Sequence, residues 1–189
     1  MKLSAKEKAS YGLGAVGKDM VYMLSASYIL YYYQDILGVS AIAMGIILLA
    51  ARVFDAFNDP IMGVVVAKTR TRWGKFRPWL FIGTLLNAVV LFLMFSAPPT
   101  LDGGGLVAYA AVTYVLWGVT YTMMDIPYWS IIPNLTSNPE EREKVSVLPR
   151  IFASIGQSLV IAGFGVQIIE ALSGGTTNQA GYHRFAIII

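Results

Sequence analysis

The chain has 189 residues, 56% of them hydrophobic and only 13% charged, whereas a soluble globular domain carries roughly a quarter charged residues; that depletion excludes an ordinary soluble domain. The net charge of +3 is held in tight basic clusters separated by long uncharged runs, a pattern of membrane orientation rather than nucleic-acid binding. With no cysteine and a single histidine, His183, disulfides, thiolate sites and a histidine-based zinc site within the chain are excluded as well.

A spanning helix needs about 20 largely apolar residues. The N-terminal arm is basic (Lys2, Lys6, Lys8), but no short apolar run with a small-residue cleavage site follows, so no cleaved signal peptide is read. The first span is predicted over 9–36 and carries Lys18 and Asp19 inside it. The second, 40–67, holds Arg52, Asp55 and Asp59 and leads into a loop with Lys68, Arg70, Arg72, Lys75 and Arg77. The third, 79–96, has no charge and is closed by Pro98 and Pro99. The fourth, 106–132, contains Asp125 and is followed by a loop with Glu140, Glu141, Arg142, Glu143 and Lys144. The fifth, 147–172, carries Arg150, and a sixth apolar stretch over 182–189 is expected to be truncated. The class is therefore an all-α membrane protein, one bundle over 1–189 with five complete transmembrane helices plus the start of a sixth.

The turns at 37–39 and 97–105 contain no lysine or arginine, so basic and neutral connections alternate. That alternation places the N-terminus in the cytoplasm of a multi-pass protein. Three helices followed by three more is the plan of one transporter half, with the second triplet inverted relative to the first.

Seven ionisable residues lie inside the predicted spans: Lys18, Asp19, Arg52, Asp55, Asp59, Asp125 and Arg150. Each costs about 2.5–3.5 kcal/mol at the bilayer centre, so they are expected to face the bundle interior, paired or hydrated. At about 1.5 Å per residue from the cytoplasmic ends, the four aspartates fall in one layer ~12–19 Å deep, with Arg150 shallower. Arg52, Asp55 and Asp59 form one stripe, and Asp55 and Asp59 at i+4 repel unless a cation sits between them. Tyr121, Asp125 and Trp129 recur every fourth residue, with Thr122 flanking. Four aspartates against three bases leave a formal charge of −1, which one monovalent cation would neutralise. Hard cations take oxygen ligands, available from Asp55, Asp59, Thr122 and Asn58. The other charged groups suit sugar hydroxyls, and an indole such as Trp129 can pack on a pyranose face. Structural ion pairing is the alternative for any one of these charges.

The runs Tyr11-Gly-Leu-Gly-Ala-Val-Gly-Lys-Asp19, Ala51-Arg-Val-Phe-Asp-Ala-Phe-Asn-Asp-Pro-Ile-Met-Gly63, Arg72-Trp-Gly-Lys-Phe-Arg-Pro-Trp79 and Met124-Asp-Ile-Pro-Tyr-Trp-Ser130 resemble the glycoside–pentoside–hexuronide:cation symporters, and among them the melibiose carriers. The resemblance covers essentially the whole chain. It implies the N-terminal six-helix half of a major facilitator-type transporter in the cytoplasmic (inner) membrane, working by alternating access with a C-terminal half that is missing here. It implies symport of a sugar, a galactoside such as melibiose or a related glycoside, with sodium, lithium or a proton as coupling cation and no other cofactor. Residue by residue it implies a cation, sodium in the first instance, at Asp55 and Asp59 with Thr122 nearby. It also implies sugar contacts at Lys18, Asp19, Tyr121, Asp125, Trp129 and Arg150, with Arg52 as a supporting charge. Partners are then a small sugar, a monovalent cation, membrane lipid and the C-terminal half, with no nucleic acid and no enzymatic activity.

Two alternatives come from other classes. An intramembrane aspartyl protease needs two membrane aspartates, yet Asp55 and Asp59 share one helix instead of facing each other from two. An ion channel would show symmetric pore-lining rings. The Gly12-Leu-Gly14-Ala-Val-Gly17 run fits a dinucleotide-binding pattern but lacks the strand context such a site needs, and close helix packing explains it better.

Overall fold

The computed structural model describes residues 4–136, 138–161, 164–174 and 179–188, and among these the regular structure is helical with no strand. Helix α1 spans Ala5–Tyr31 and continues through a wider π-helical turn, Tyr32–Ile36. It opens on a reciprocal cap: Ser4 Oγ accepts from Glu7 N at 3.2 Å, and Glu7 Oε2 accepts from Ser4 N at 2.8 Å. Helix α2 follows over Ala41–Lys68, capped by Ser40; α3 covers Arg77–Met94 and α4 Gly103–Ser130, with the short α5 at Ile132–Leu135. Helix α6 spans Pro139–Ile161, α7 Phe164–Leu172 and α8 Gln179–Ile188.

The first four spans lie within about four residues of their sequence-based bounds. The fifth differs. Helix α6 starts at Pro139, not near 147, because a proline at the first helical position and Glu140 and Glu141 in the first turn suit a helix N-terminus. The charged run after the fourth span is thus mostly helix, not loop. Ala162 and Gly163 of the predicted 147–172 span, Ile189 of the sixth and Lys2 of the basic arm lie outside the described residues. Four helical stretches are long and apolar enough to cross a membrane: Ala41–Lys68, Arg77–Met94, Gly103–Leu135 and Pro139–Ile161. Helix α1 carries Lys18 and Asp19 and falls outside these four, but at 27 residues it is about 40 Å long, enough to cross a bilayer. Apolar residues such as Ile42, Ile46 and Leu49 on α2 and Phe81 and Leu85 on α3 stand exposed, as lipid-facing positions should.

The most extensive pairing is α1 with α6, followed by α3 with α4 and α2 with α4; α8 packs on α3. Exchanging first and fourth, second and fifth, third and sixth spans turns the α1–α6 pair into the α4–α2 pair and leaves α3–α8 unchanged. The α3–α4 pair, which the same exchange would turn into α8–α1, has no counterpart of similar extent among the described residues. Two contacts are backbone-close. A Cβ on Gly156 of α6 would lie 2.6 Å from Val16 O of α1, and one on Gly83 of α3 would lie 2.9 Å from Met124 N of α4. Gly12, in the run that fits a nucleotide pattern, packs in mid-helix against Phe152 of α6.

Tyrosines on α1 and its π turn hold the far ends of other helices. The last carbonyls of a helix have no partner within it, and in a bilayer each unsatisfied group is costly. Tyr32 donates to Phe95 O and Tyr33 to Met94 O, both at 2.9 Å, at the end of α3. Tyr28 donates to Val160 O at 3.0 Å near the end of α6, and Tyr11 to Tyr128 O at 2.7 Å near the end of α4. Tyr32 and Tyr33 are fully buried, so this aromatic run serves packing rather than a membrane interface.

Candidate functional site

Helices α1 and α4 are linked chiefly by side chains across the layer of intramembrane charge. Lys18 Nζ donates to Asp125 Oδ1 at 2.6 Å and to Tyr121 Oη at 2.9 Å, and lies 3.3 Å from Asp19 Oδ2. Its ammonium also stands 5.1, 5.7 and 5.6 Å from the ring centres of Tyr121, Tyr128 and Trp129. Trp129 Nε1 donates to the same Asp125 Oδ1 at 3.0 Å. One cation is therefore set among two carboxylates and three aromatic faces, an arrangement that keeps buried charge paired. The Lys18 and Asp19 side chains are only 5% and 9% exposed, whereas Asp125 is 29% exposed. Asp125 and Trp129 form the accessible edge of the cluster, and Lys18 and Asp19 stand behind it.

The second group lies where α2 faces α4. Thr122 Oγ1 donates to Asp59 Oδ1 at 3.0 Å, and Arg52 Nη1 is 3.8 Å from Asp55 Oδ2. Gly118 of α4 makes room for Asp55, since a Cβ there would lie 3.0 Å from Asp55 Oδ1. A cavity of about 140 Å³ is lined by Tyr22, Arg52, Asp55, Asp59, Tyr121, Thr122 and Asp125, joining the two groups. A roomier cavity, about 730 Å³, lies where Lys8 meets the start of α6 at Glu143, Lys144 and Val147, outside this charge layer. Pro60 directly follows Asp59 inside α2 and removes the amide that Ala56 C=O would otherwise accept from. Among the described residues no cluster of three or more histidine, cysteine or acidic side chains could hold a metal ion. A cation here would rely on two carboxylates supplemented by the Thr122 hydroxyl.

The sequence-predicted residues separate into those brought together and those left apart. Lys18, Asp19, Tyr121, Asp125 and Trp129 form one cluster, and Asp55, Asp59 and Thr122 share one cavity with Arg52 and Asp125. Asn58 is not part of that cavity lining, and its Nδ2 is buried without a hydrogen-bond partner among the described residues. Arg150 is exposed on α6 with no ion pair among the described residues. Arg52 likewise leaves 60% of its side chain exposed. These two arginines are left exposed by the described helices of this chain, whereas Asp55 and Asp59 of α2 meet α4.

Two residues escaped the sequence reading. Gln157 of α6 donates through Nε2 to Asp19 Oδ1 at 3.0 Å. The Tyr22 ring lies 5.3 Å from Tyr121 and 6.0 Å from Trp117 while lining the shared cavity. Helical spacing was the available signal: Tyr22 is four residues from Lys18, and Gln157 is seven from Arg150.

Residues 10–189 match the family described as MFS/sugar transport protein. The chain is 36% identical to a putative glycoside/cation symporter of Escherichia coli (strain K12), covering 96% of this chain and 39% of the relative. It is 34% identical to an isoprimeverose transporter of Lactiplantibacillus pentosus, over 97% of this chain and 38% of the relative. A raffinose carrier protein of Pediococcus pentosaceus is 28% identical over 95% of this chain and 30% of the relative. The chain thus spans well under half the length of these relatives.

Proposed function

Because the chain belongs to the MFS/sugar transport protein family, a family of transporters rather than enzymes, we propose that it is the N-terminal half of a cation-coupled sugar symporter, with a galactoside such as melibiose as substrate. The observation that carries this reading is the shared cavity. The Lys18–Asp125–Trp129 cluster, suited to sugar hydroxyls and a pyranose face, adjoins the Asp55–Asp59–Thr122 group, suited to a monovalent cation. The relatives named for glycosides, isoprimeverose and raffinose support a sugar as cargo.

At about 140 Å³ the cavity is too small for a sugar, because ligand pockets run about 300–1,000 Å³. Asp125 and Trp129 are partly exposed and Arg150 is exposed, and a C-terminal half would supply the second wall around them. The symporter sits in the cytoplasmic membrane with its N-terminus inside. Sodium, lithium or a proton is the coupling ion, bound by Asp55 and Asp59 with Thr122. The ion-channel reading leaves the aromatic and acidic cluster on α4 without a role.

The experiment is uptake into proteoliposomes containing the carrier of which this chain forms part. An inward sodium gradient should drive melibiose accumulation above equilibrium. Equal uptake with no gradient of sodium, lithium or protons would overturn cation coupling, and uptake of no glycoside would overturn the sugar assignment.

A further inference from the structure

Gln157 occupies the one place where α6 reaches the charge cluster through a described hydrogen bond, donating from Nε2 to Asp19 Oδ1 at 3.0 Å. Its position is fixed by the residue before it. Gly156 brings the backbone of α6 against Val16, where a Cβ would sit 2.6 Å from Val16 O and 3.1 Å from Val16 Cα. With Ala153 buried in the same face, α6 cannot turn or slide at this level without a clash. Gln157 is therefore set against Asp19 by backbone contact.

The hydrogen bond decides how Asp19 is oriented. Its side chain is 9% exposed, and with Oδ1 taken by the amide, Oδ2 is left facing Lys18 Nζ at 3.3 Å with no hydrogen bond of its own. Lys18 in turn holds Asp125 Oδ1 at 2.6 Å, and Asp125 accepts from Trp129. A continuous line runs from Gln157 on α6, through Asp19 and Lys18 on α1, to Asp125 and Trp129 on α4. The amide and the Trp129 indole are its neutral donors, while the Tyr121 hydroxyl accepts from Lys18. A leucine would fill similar space but leave Oδ1 unpaired, and a carboxylate would add a third negative charge against Asp19 and Asp125 around the single ammonium.

We infer that Gln157 is a positioning residue of the sugar site, fixing Asp19 so that Lys18 is held toward Asp125 and the α4 face presents its carboxylate to sugar hydroxyls. This rests on the symporter reading above. Gln157 stands seven residues from Arg150, so both lie on one stripe of α6.

The test compares Gln157→Leu and Gln157→Glu with wild type in the full carrier, measuring melibiose affinity by calorimetry in sodium at pH 5.5 and pH 8, with thermal unfolding to establish folding. Gln157→Leu is expected to weaken melibiose about tenfold or more at both pH values, with sodium affinity in the absence of sugar unchanged. Gln157→Glu is expected to approach wild-type affinity only as its carboxyl becomes protonated and donates to Asp19 in place of the amide, so its affinity relative to wild type should be higher at pH 5.5 than at pH 8. At pH 8 the ionised carboxylate can only repel Asp19, and affinity should fall about tenfold or more relative to wild type. A residue that merely packs would not create this pH dependence. Wild-type melibiose affinity in folded Gln157→Leu, or a Gln157→Glu profile parallel to wild type, overturns the inference. A wild-type carrier that binds sodium but no glycoside overturns the symporter reading instead.

Discussion

Thr122 donates its hydroxyl to Asp59 at 3.0 Å, while the residue before it, Tyr121, receives Lys18 at 2.9 Å. Adjacent helical residues point about 100° apart, so α4 reaches toward α2 with one side chain and toward α1 with the next. The two proposed sites are thus joined through one turn of one helix. A shift or rotation of α4 that alters the Thr122–Asp59 contact must also alter the Tyr121–Lys18 contact. Coupling between cation and sugar then needs no long pathway.

Asp59→Asn in the full carrier is expected to abolish sodium's enhancement of sugar affinity while leaving much of the sodium-free affinity. Asp59 contacts Thr122 and takes no part in the hydrogen bonds of the Lys18 cluster. Coupling free energies of this kind are typically about 1–3 kcal/mol and reciprocal, so the lost enhancement should be about 5–150-fold. Sugar titrations with and without sodium measure it, and a normal enhancement in the mutant would refute the cation assignment.

Lys18→Ala is expected to destabilise the protein by at most about 3–5 kcal/mol, because it leaves the buried Asp19 and the partly exposed Asp125 without their ammonium. Adding Asp125→Asn should recover a large part of that loss by removing one unpaired charge, without restoring sugar binding. Thermal unfolding of the single and double mutants in detergent measures the interaction. Simple additivity of the two losses would show that the 2.6 Å contact carries no coupling.

The positions of the spans and most of the charged cluster could be read from the sequence because the bilayer makes both conspicuous: long apolar runs, and ionisable residues that cannot face lipid. The start of α6 was missed because Glu140 to Lys144 look like a solvated loop, although Pro139 and the two glutamates behind it are helix-start residues. Gln157 was missed because the reading followed charge, and its amide carries none. Asn58 is the converse case. Its chemistry and its place beside Asp59 suit a cation ligand, yet it does not line the Asp55–Asp59 cavity, because consecutive helical residues face different directions. The tyrosine caps could not be foreseen, since they pair residues more than 60 positions apart.

Tyr11 and Tyr128 form a reciprocal pair, with Tyr11 donating to Tyr128 O at 2.7 Å, Tyr128 donating to Tyr11 O at 2.6 Å, and their rings stacked at 4.5 Å. Tyr11→Phe and Tyr128→Phe each keep the stacking and remove one hydrogen bond, so each should cost about 0.5–1.5 kcal/mol of stability. The double mutant should depart from the sum, because each hydroxyl helps hold the geometry the other uses. Sugar affinity should change little. Thermal unfolding with a parallel binding measurement checks both, and loss of binding at unchanged stability would place this pair in the sugar site.

Arg150 and Asp19 were assigned the same role from sequence, but the structure puts them in different situations, and their alanine mutants should therefore differ. Asp19 is buried between Gln157 and Lys18. Asp19→Ala leaves the amide without its acceptor and Lys18 without one of its two carboxylates, so both folding stability and sugar binding should suffer. Arg150 is exposed on α6 with no ion pair among the described residues, and its backbone C=O accepts the Ser154 hydroxyl at 2.9 Å. Removing its guanidinium disrupts no internal contact, and Arg150→Ala should unfold within about 0.5 kcal/mol of wild type, as exposed positions do. If Arg150 meets sugar hydroxyls, the same mutant should lose about 10–100-fold in sugar affinity, the worth of a charged hydrogen bond, with sodium binding intact. A well-folded Arg150→Ala carrier with unchanged sugar affinity would remove Arg150 from the site and leave Gln157 as its contribution from α6.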